Sequence, residues 1–241
     1  KIKKLFGDYE EVVENGKTVR RELPDYSNEW FPGQPIDRIW NYNMEGIWQE
    51  EERSKAQEYR LQPGDIKATD VDGNGVYEAL TDKMFIGYTS PRYRAGLRNE
   101  FSFFKNFSAS VFIRADLGHM GSFADGLRRG GADTYDRRNA QDFPYWTPEN
   151  RNMDFPRLTA NTNVFGGGIM MYKPMSFVRV QDISLAYRMP ASLLSAIRVD
   201  NLRIYASARN LLTFSKWPGW DPESGLAPMP QIFTMGLKFG L

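Results

Sequence analysis

The stretch DVDGNG places Asp70, Asp72 and Asn74 at alternate positions ahead of Gly75. These are the first, third and fifth places of a calcium-binding loop, with glycine at the sixth where the chain must turn sharply. The twelfth place, which carries a bidentate Glu in such loops, is Thr81, and Asp82 follows one residue later. Asp70, Asp72, Asn74 and Asp82 therefore form a candidate set of oxygen ligands for a structural Ca²⁺. Against it stands a plain turn in which Asx side chains cap their own backbone. An ion here would stiffen a loop, and nothing in the pattern requires a cofactor for catalysis.

The remaining reactive residue types are sparse. With no cysteine in 241 residues, disulfides, thiolate metal sites and cysteine nucleophiles are excluded together. The single histidine, His119, has no second imidazole or evident serine partner and reads as a surface or loop residue. Glu50, Glu51 and Glu52 are carboxylates of one local run, whereas glycoside hydrolysis needs two held across a bond. Gly166–Gly168 lacks the Lys and Ser/Thr of a phosphate loop. Arg128, Arg129, Arg137 and Arg138 read as a solvated loop surface or a contact for an acidic partner. Trp146, Trp217 and Trp220 could stack on sugar rings or pack within loops. Basic and acidic residues number 31 and 30, so no global field favours nucleic acid. The chain is read as a non-enzyme.

Elements that could position such residues are extended. In YRAGLRNEFSFFKNFSASVFIRADL, the residues Tyr93, Ala95, Leu97, Phe101 and Phe103 share a face, interrupted by Asn99, while Arg94, Gly96, Arg98, Glu100 and Ser102 share the other. Across a short Lys105-Asn106 turn, Phe107, Ala109, Val111, Ile113, Ala115 and Leu117 oppose Ser108, Ser110, Arg114 and Asp116, with Phe112 as the exception. Ile183, Leu185 and Tyr187, then Leu202, Ile204, Ala206 and Ala208, then Phe233, Met235, Leu237, Phe239 and Leu241 repeat the alternation. Weaker extended segments precede them near Ile2–Phe6 and Tyr42–Trp48.

One face of these strands is apolar and the other carries charge within strand interiors. A soluble sandwich with one wet face and a membrane barrel both produce that pattern. Strand length separates them: several strands reach the ~9–11 residues that cross a bilayer. A short turn at one end also contrasts with a connection from Met120 to Tyr172 that is rich in Gly, Pro and Asn. The pattern favours the barrel. No run of ~20 apolar residues marks a membrane helix, and the mean hydropathy of −0.55 is uninformative for barrel strands.

The ordered segments PGQPIDRIWNYNMEGIWQ, LQPGDIKATDVDGNG, FIGYTSPRYRAGLRNEFSFFKNF, WTPENRNMDFPRL, SFVRVQDISLAYRMPASLL, LRIYASARNLLTFSKWPGWDPE and PQIFTMGLKFGL resemble the C-terminal barrel region of SusC-type TonB-dependent outer-membrane transporters. The resemblance runs from Pro32 to Leu241. It implies an all-β fold: the C-terminal portion of a large antiparallel transmembrane β-barrel with long extracellular loops, not closed by this chain alone. Residues 1–241 would be part of one barrel domain, with the plug domain and N-terminal strands outside the sequence. Such barrels commonly end on an aromatic residue, whereas this chain ends on Leu241.

The activity implied is TonB-dependent import of an oligomeric nutrient, glycan or oligopeptide, across the Gram-negative outer membrane. The implied partners are the rest of the transporter, a SusD-like surface lipoprotein, TonB acting through the missing N-terminal part, and outer-membrane lipid. Arg94, Arg98, Glu100, Arg114 and Asp116 on the polar face, with Trp146 in the long loop, are the lumen and substrate candidates. The alternative is an extracellular soluble β-rich glycan-binding module or hydrolase, which predicts that the apolar faces meet each other across two sheets. A passive barrel without a plug is a third reading.

Overall fold

A computed structural model describes residues 9–127, 143–166, 168–195, 199–225 and 227–240. The expected segment Ile2–Phe6, the arginines Arg128, Arg129, Arg137 and Arg138, and Leu241 lie outside the described residues. The chain forms two compact units, Lys1–Thr89 with Ser122–Tyr172, and Ser90–Gly121 with Lys173–Leu241.

The first unit begins with a hairpin of β1 (Tyr9–Glu14) and β2 (Lys17–Glu22). Its turn residues Asn15 and Gly16 both have positive φ, the backbone that a two-residue hairpin turn demands. Strand β3 (Arg38–Tyr42) pairs with β6 (Lys83–Tyr88), and β4 (Met44–Ile47) with β5 (Ile66–Ala68), both antiparallel. Two short helices, α1 (Arg53–Glu58) and α2 (Ala79–Asp82), fill the connections. Tyr42, Ile47, Trp48, Ile66, Phe165 and Ile169 are buried together. The Tyr77 ring stacks on Tyr59 at 5.0 Å and on Phe165 at 4.6 Å, so aromatic contact dominates this core. Buried Asp65 ties the connections to it, accepting hydrogen bonds from the Gln62 and Asn161 amides and from Arg157 Nε.

The second unit is built on one antiparallel sheet. Its strands are β7 (Tyr93–Phe103), β8 (Phe107–Leu117), β11 (Phe177–Arg188), β12 (Asn201–Ser215) and β13 (Ile232–Gly240), in the spatial order β13-β12-β11-β8-β7. Two three-residue strands, β9 (Met120–Ser122) and β10 (Tyr172–Pro174), bond to each other, and a one-turn helix α3 (Ala191–Leu194) precedes β12. The β7–β8 connection takes three residues, not the two expected: Phe104 joins Lys105 at positive φ, and the Asn106 amide bonds the Phe104 carbonyl.

Register makes the apolar face continuous. Phe101 opposes Ala109, which opposes Leu185, then Ala206, then Met235. Leu97, Ile113, Val180 and Leu212 form a second such row. A bulge at Gln181 shifts both ladders of β11 between Val180 and Asp182. It reverses the parity of that strand, so that Val178 and Val180 share a face with Ile183, Leu185 and Tyr187. No second sheet among the described residues covers this face. Phe233, Met235, Leu237 and Phe239 are 69, 82, 66 and 64% exposed. The greasy faces therefore do not meet across a sandwich, and the soluble alternative loses its structural requirement. The sheet is not closed either, because among the described residues β7 and β13 each pair on one side only.

At the three-residue turn, Phe103 stacks on Phe107 at 5.5 Å, and Phe107 meets Tyr187 at 4.6 Å. This clustering at one strand end has the form of an interfacial aromatic girdle. Charge introduced on the apolar face should therefore be costly and on the other face cheap. Met235→Arg is expected to destabilise the full-length barrel in lipid vesicles by about 2–4 kcal/mol, the range for a cation near the bilayer midplane. Thr234→Arg, one residue away on the polar face, should change the same unfolding curve little.

Candidate functional site

Alternation puts Arg94, Arg98, Glu100, Arg114 and Asp116 on the polar face of β7 and β8, where register sets their partners. Arg94 opposes Asp116 with a charge separation of 3.8 Å, and Arg98 lies 3.8 Å from Glu100 on its own strand. Phe112, the exception to the alternation, belongs to this face: it opposes Arg98, whose guanidinium lies 5.4 Å from the ring centroid. A cavity of about 440 Å³ opens here, lined by Arg94, Gly96, Phe112, Arg114, Asp116 and Glu223.

The strongest group on this face includes residues not singled out from sequence. Arg179 on β11 lies directly beside Arg114 in the ladder. Two adjacent guanidiniums would repel, and the β12–β13 connection brings carboxylates to both. Arg179 donates to Asp221 at 2.5 Å, to Glu223 at 2.9 Å and to Thr213 Oγ1 at 3.0 Å, while Arg114 lies 2.6 Å from the other Glu223 oxygen. Asp221 Oδ1 accepts the Glu223 amide, fixing the spacing of the two acids. Arg179 is only 1% exposed, and its charge is tolerable there because its guanidinium has three acceptors. Glu223 bridges two cations, so the loop after β12 is pinned to the polar face. A second cavity, of about 350 Å³, lies beside it and is lined by Thr213, Trp217, Trp220, Asp221, Met229 and Gln231. Trp220 is exposed there and Trp217 buried.

Trp146 sits apart from these residues in chain and in unit. It is buried in the first unit, its Nε1 donates to Gln49 Oε1 at 3.1 Å, and its ring lies against Gly64. A Cβ on Gly64, whose φ is +88°, would come 2.5 Å from that ring. His119 is not the surface residue expected but is buried, and burial holds its imidazole below the usual range.

The three carboxylates of the candidate metal set converge: oxygens of Asp70, Asp72 and Asp82 lie within 4.8 Å of one another. Asp82, thirteenth in the loop, reaches the site because α2 turns it inward, where it accepts the Val71 and Glu78 amides. Burial raises the Asp70 pKa, but the Gly75 and Gly73 amides and the Tyr59 hydroxyl outweigh it and hold the group below the usual carboxylate range. Burial first, and this bond to Asp70 second, push the Tyr59 phenol up to about 12. Asn74 stands beside the set, its carbonyl accepting the Val76 amide and its amide donating to Asp72. The set offers hard oxygen donors of the kind that Ca²⁺ takes.

Long antiparallel strands with one uncovered apolar face and a charged opposite face have the form of part of the wall of an outer-membrane β-barrel. Two curated relatives are TonB-dependent receptors of Formosa agariphila. Receptor P3 is 30% identical over 236 residues, which is 86% of this chain and 22% of the receptor. Receptor P26 is 27% identical over 231 residues, 86% of this chain and 23% of the receptor. No protein-family model matches. Among solved structures, the RagAB peptide transporter aligns over 90% of this chain and 24% of its own, with TM-score 0.64 and 22% identity. The RagAB peptide importer in the open-open state aligns over 99% and 25%, with TM-score 0.64 and 20% identity. The chain spans under a quarter of the length of these curated relatives. It is similar to part of these TonB-dependent receptors and shares the fold of part of the RagAB structures.

The buried ion group generates a direct test. Arg179→Met should destabilise the full-length barrel by about 3–5 kcal/mol, because it strands Asp221 without its partner. Asp221→Leu alone should cost a similar amount, and the double variant less than the sum of the two. Additive losses in denaturant unfolding would show that the two groups are not coupled.

Proposed function

We propose that this chain supplies wall and loops to a transporter that imports an oligomeric nutrient across the Gram-negative outer membrane, driven through TonB. The observation that carries the proposal is the two-faced sheet: an apolar face fit for lipid, backed by a charged face with cavities fit for a polar solute. The kinship with TonB-dependent receptors supports the energy source. The likeness to RagAB, a peptide transporter, supports a surface lipoprotein of the SusD type as partner and peptides as one class of cargo. A glycan fits equally well the exposed Trp220 and the charged groups of the polar face. Within this reading Arg94, Arg98, Glu100, Arg114 and Asp116 face the lumen, both units belong to one barrel domain, and no residue acts as a catalyst.

Deleting the parent gene should abolish uptake of the matching oligomer, tested with labelled oligopeptides and oligosaccharides in parallel. Dissipating the proton gradient or removing TonB should abolish it too. Uptake that persists without TonB would overturn the reading in favour of a passive barrel. A water-soluble parent protein would favour the extracellular binding module.

The Asp70–Asp82 loop we assign to a structural Ca²⁺, held by Asp70, Asp72 and Asp82. Chelating calcium should speed proteolysis of this loop in the wild type, and Asp72→Asn should remove that difference. Equal cleavage with and without chelator in the wild type would leave a plain Asx turn.

A further inference from the structure

At the end of the sheet away from the Phe103, Phe107 and Tyr187 cluster, a groove of about 380 Å³ opens on the apolar face, lined by Leu117, Pro174, Ser176, Val178, Phe214 and Lys216. All of these residues belong to the second unit. Register explains the groove. Val178 on β11 stands between Ala115 on β8 and Phe214 on β12, so short side chains run down the middle while Leu117 and Phe214 rise on either side. The floor is fixed, because the Ser176 hydroxyl accepts the Gly118 amide at 2.9 Å and the Ser176 carbonyl accepts the Ser215 hydroxyl at 2.9 Å. Within the five strands no charged residue stands on the apolar face. Lys216, one residue past β12 and at the parity of Leu212 and Phe214, is the first charge met on that face at this end. It is exposed, and among the described residues no carboxylate lies against it or lines the groove.

The position of that lysine matches the far surface of a bilayer. Lys216 stands twelve residues along the chain from Ile204, which opposes Tyr187 in the aromatic cluster. At ~3.4 Å per residue and a tilt of ~45°, that stretch climbs ~29 Å, close to the ~30 Å thickness of the hydrocarbon. The aromatic cluster and Lys216 therefore mark the two boundaries of one apolar band, the lysine stem lying along apolar surface and its ammonium reaching the headgroups. Lipid tails are as apolar as the groove, so the groove alone selects no lipid, whereas the unanswered cation selects an anionic headgroup. We propose that this groove is a site for a phosphorylated glycolipid of the outward leaflet, one acyl chain lying between Leu117 and Phe214 and a phosphate paired with Lys216. The leaflet is the outward one because the two longest connections of the sheet, 118–176 and 216–231, leave at this end, and barrels place their longer loops outside. Phosphorylated glycolipid is what a Gram-negative outer membrane offers there.

The proposal rests on the barrel-wall reading and not on import: a parent protein that is not extracted with membranes would end both, whereas lipid binding reads the groove alone. The full-length parent, purified in detergent, is titrated with lipid A and followed by native mass spectrometry. Lys216→Gln should weaken the tightest-bound lipid about fivefold, the factor for one lysine facing an anionic surface. Val178→Trp, which fills the groove, should remove that lipid. Lipid A stripped of its phosphates should bind the wild type and Lys216→Gln alike. In outer-membrane vesicles, a benzophenone amino acid in place of Phe214 should link to the glycolipid. Equal affinity of the wild type and Lys216→Gln for lipid A, tighter binding of phosphatidylglycerol than of lipid A, or a link from position 214 to a protein would overturn the proposal.

Discussion

An apolar face without a protein cover is the constraint on which the rest of this structure depends. Phe233, Met235, Leu237 and Phe239 stand more than three-fifths exposed, and register joins them to matching residues on four further strands. In water such a patch would drive aggregation. In hydrocarbon it has no cost, but backbone groups there must be paired, so the sheet cannot stop at the open edges of β7 and β13. One solvent therefore dictates both the strand pattern and the need for further strands. The first unit obeys the opposite rule, hiding Tyr42, Trp48, Ile66 and Phe165 in a core of its own.

The other face shows how this sheet holds charge. Arg179 is almost fully buried among Asp221, Glu223 and Thr213, so a long loop connection is fixed to the wall by charge-assisted hydrogen bonds. Nearer the cavity, Arg94 and Arg98 keep looser pairings at 3.8 Å and remain exposed. Rigid pinning and accessible charge thus occupy neighbouring rows of the same strands. That division lets one face hold a loop in place and keep other charges accessible.

Much of the sheet was legible in the amino-acid sequence because period-two alternation is enforced by the boundary between lipid and water. Even the bulge at Gln181 leaves a trace: apolar residues fall on even numbers at Val178 and Val180, then on odd ones at Ile183 and Leu185. Phe112 breaks the alternation because it supports Arg98. The pinning group was not legible. Arg179 and Asp221 are 42 positions apart, and nothing local tells an acid in a loop which strand cation it will meet. The only signal was an Arg set between Val178 and Val180 at polar parity. The β1–β2 hairpin escaped periodicity because YEEVVENGKTVRRE is polar on both faces, although Asn15-Gly16 marks its turn. Composition equally could not separate Trp146, buried against Gln49, from Trp220, which is exposed.

The most direct test of the account is the environment of successive residues along β13. These 241 residues contain no cysteine, so single cysteines introduced from Ile232 to Gly240 can carry a spin label without background from this region. In the full-length parent in lipid, labels at Phe233, Met235, Leu237 and Phe239 should collide readily with dissolved oxygen and little with a water-soluble relaxant. Labels at Thr234, Gly236 and Lys238 should lack that preference for oxygen. Low accessibility to both reagents at the first four positions would place a protein layer over the apolar face and contradict the account.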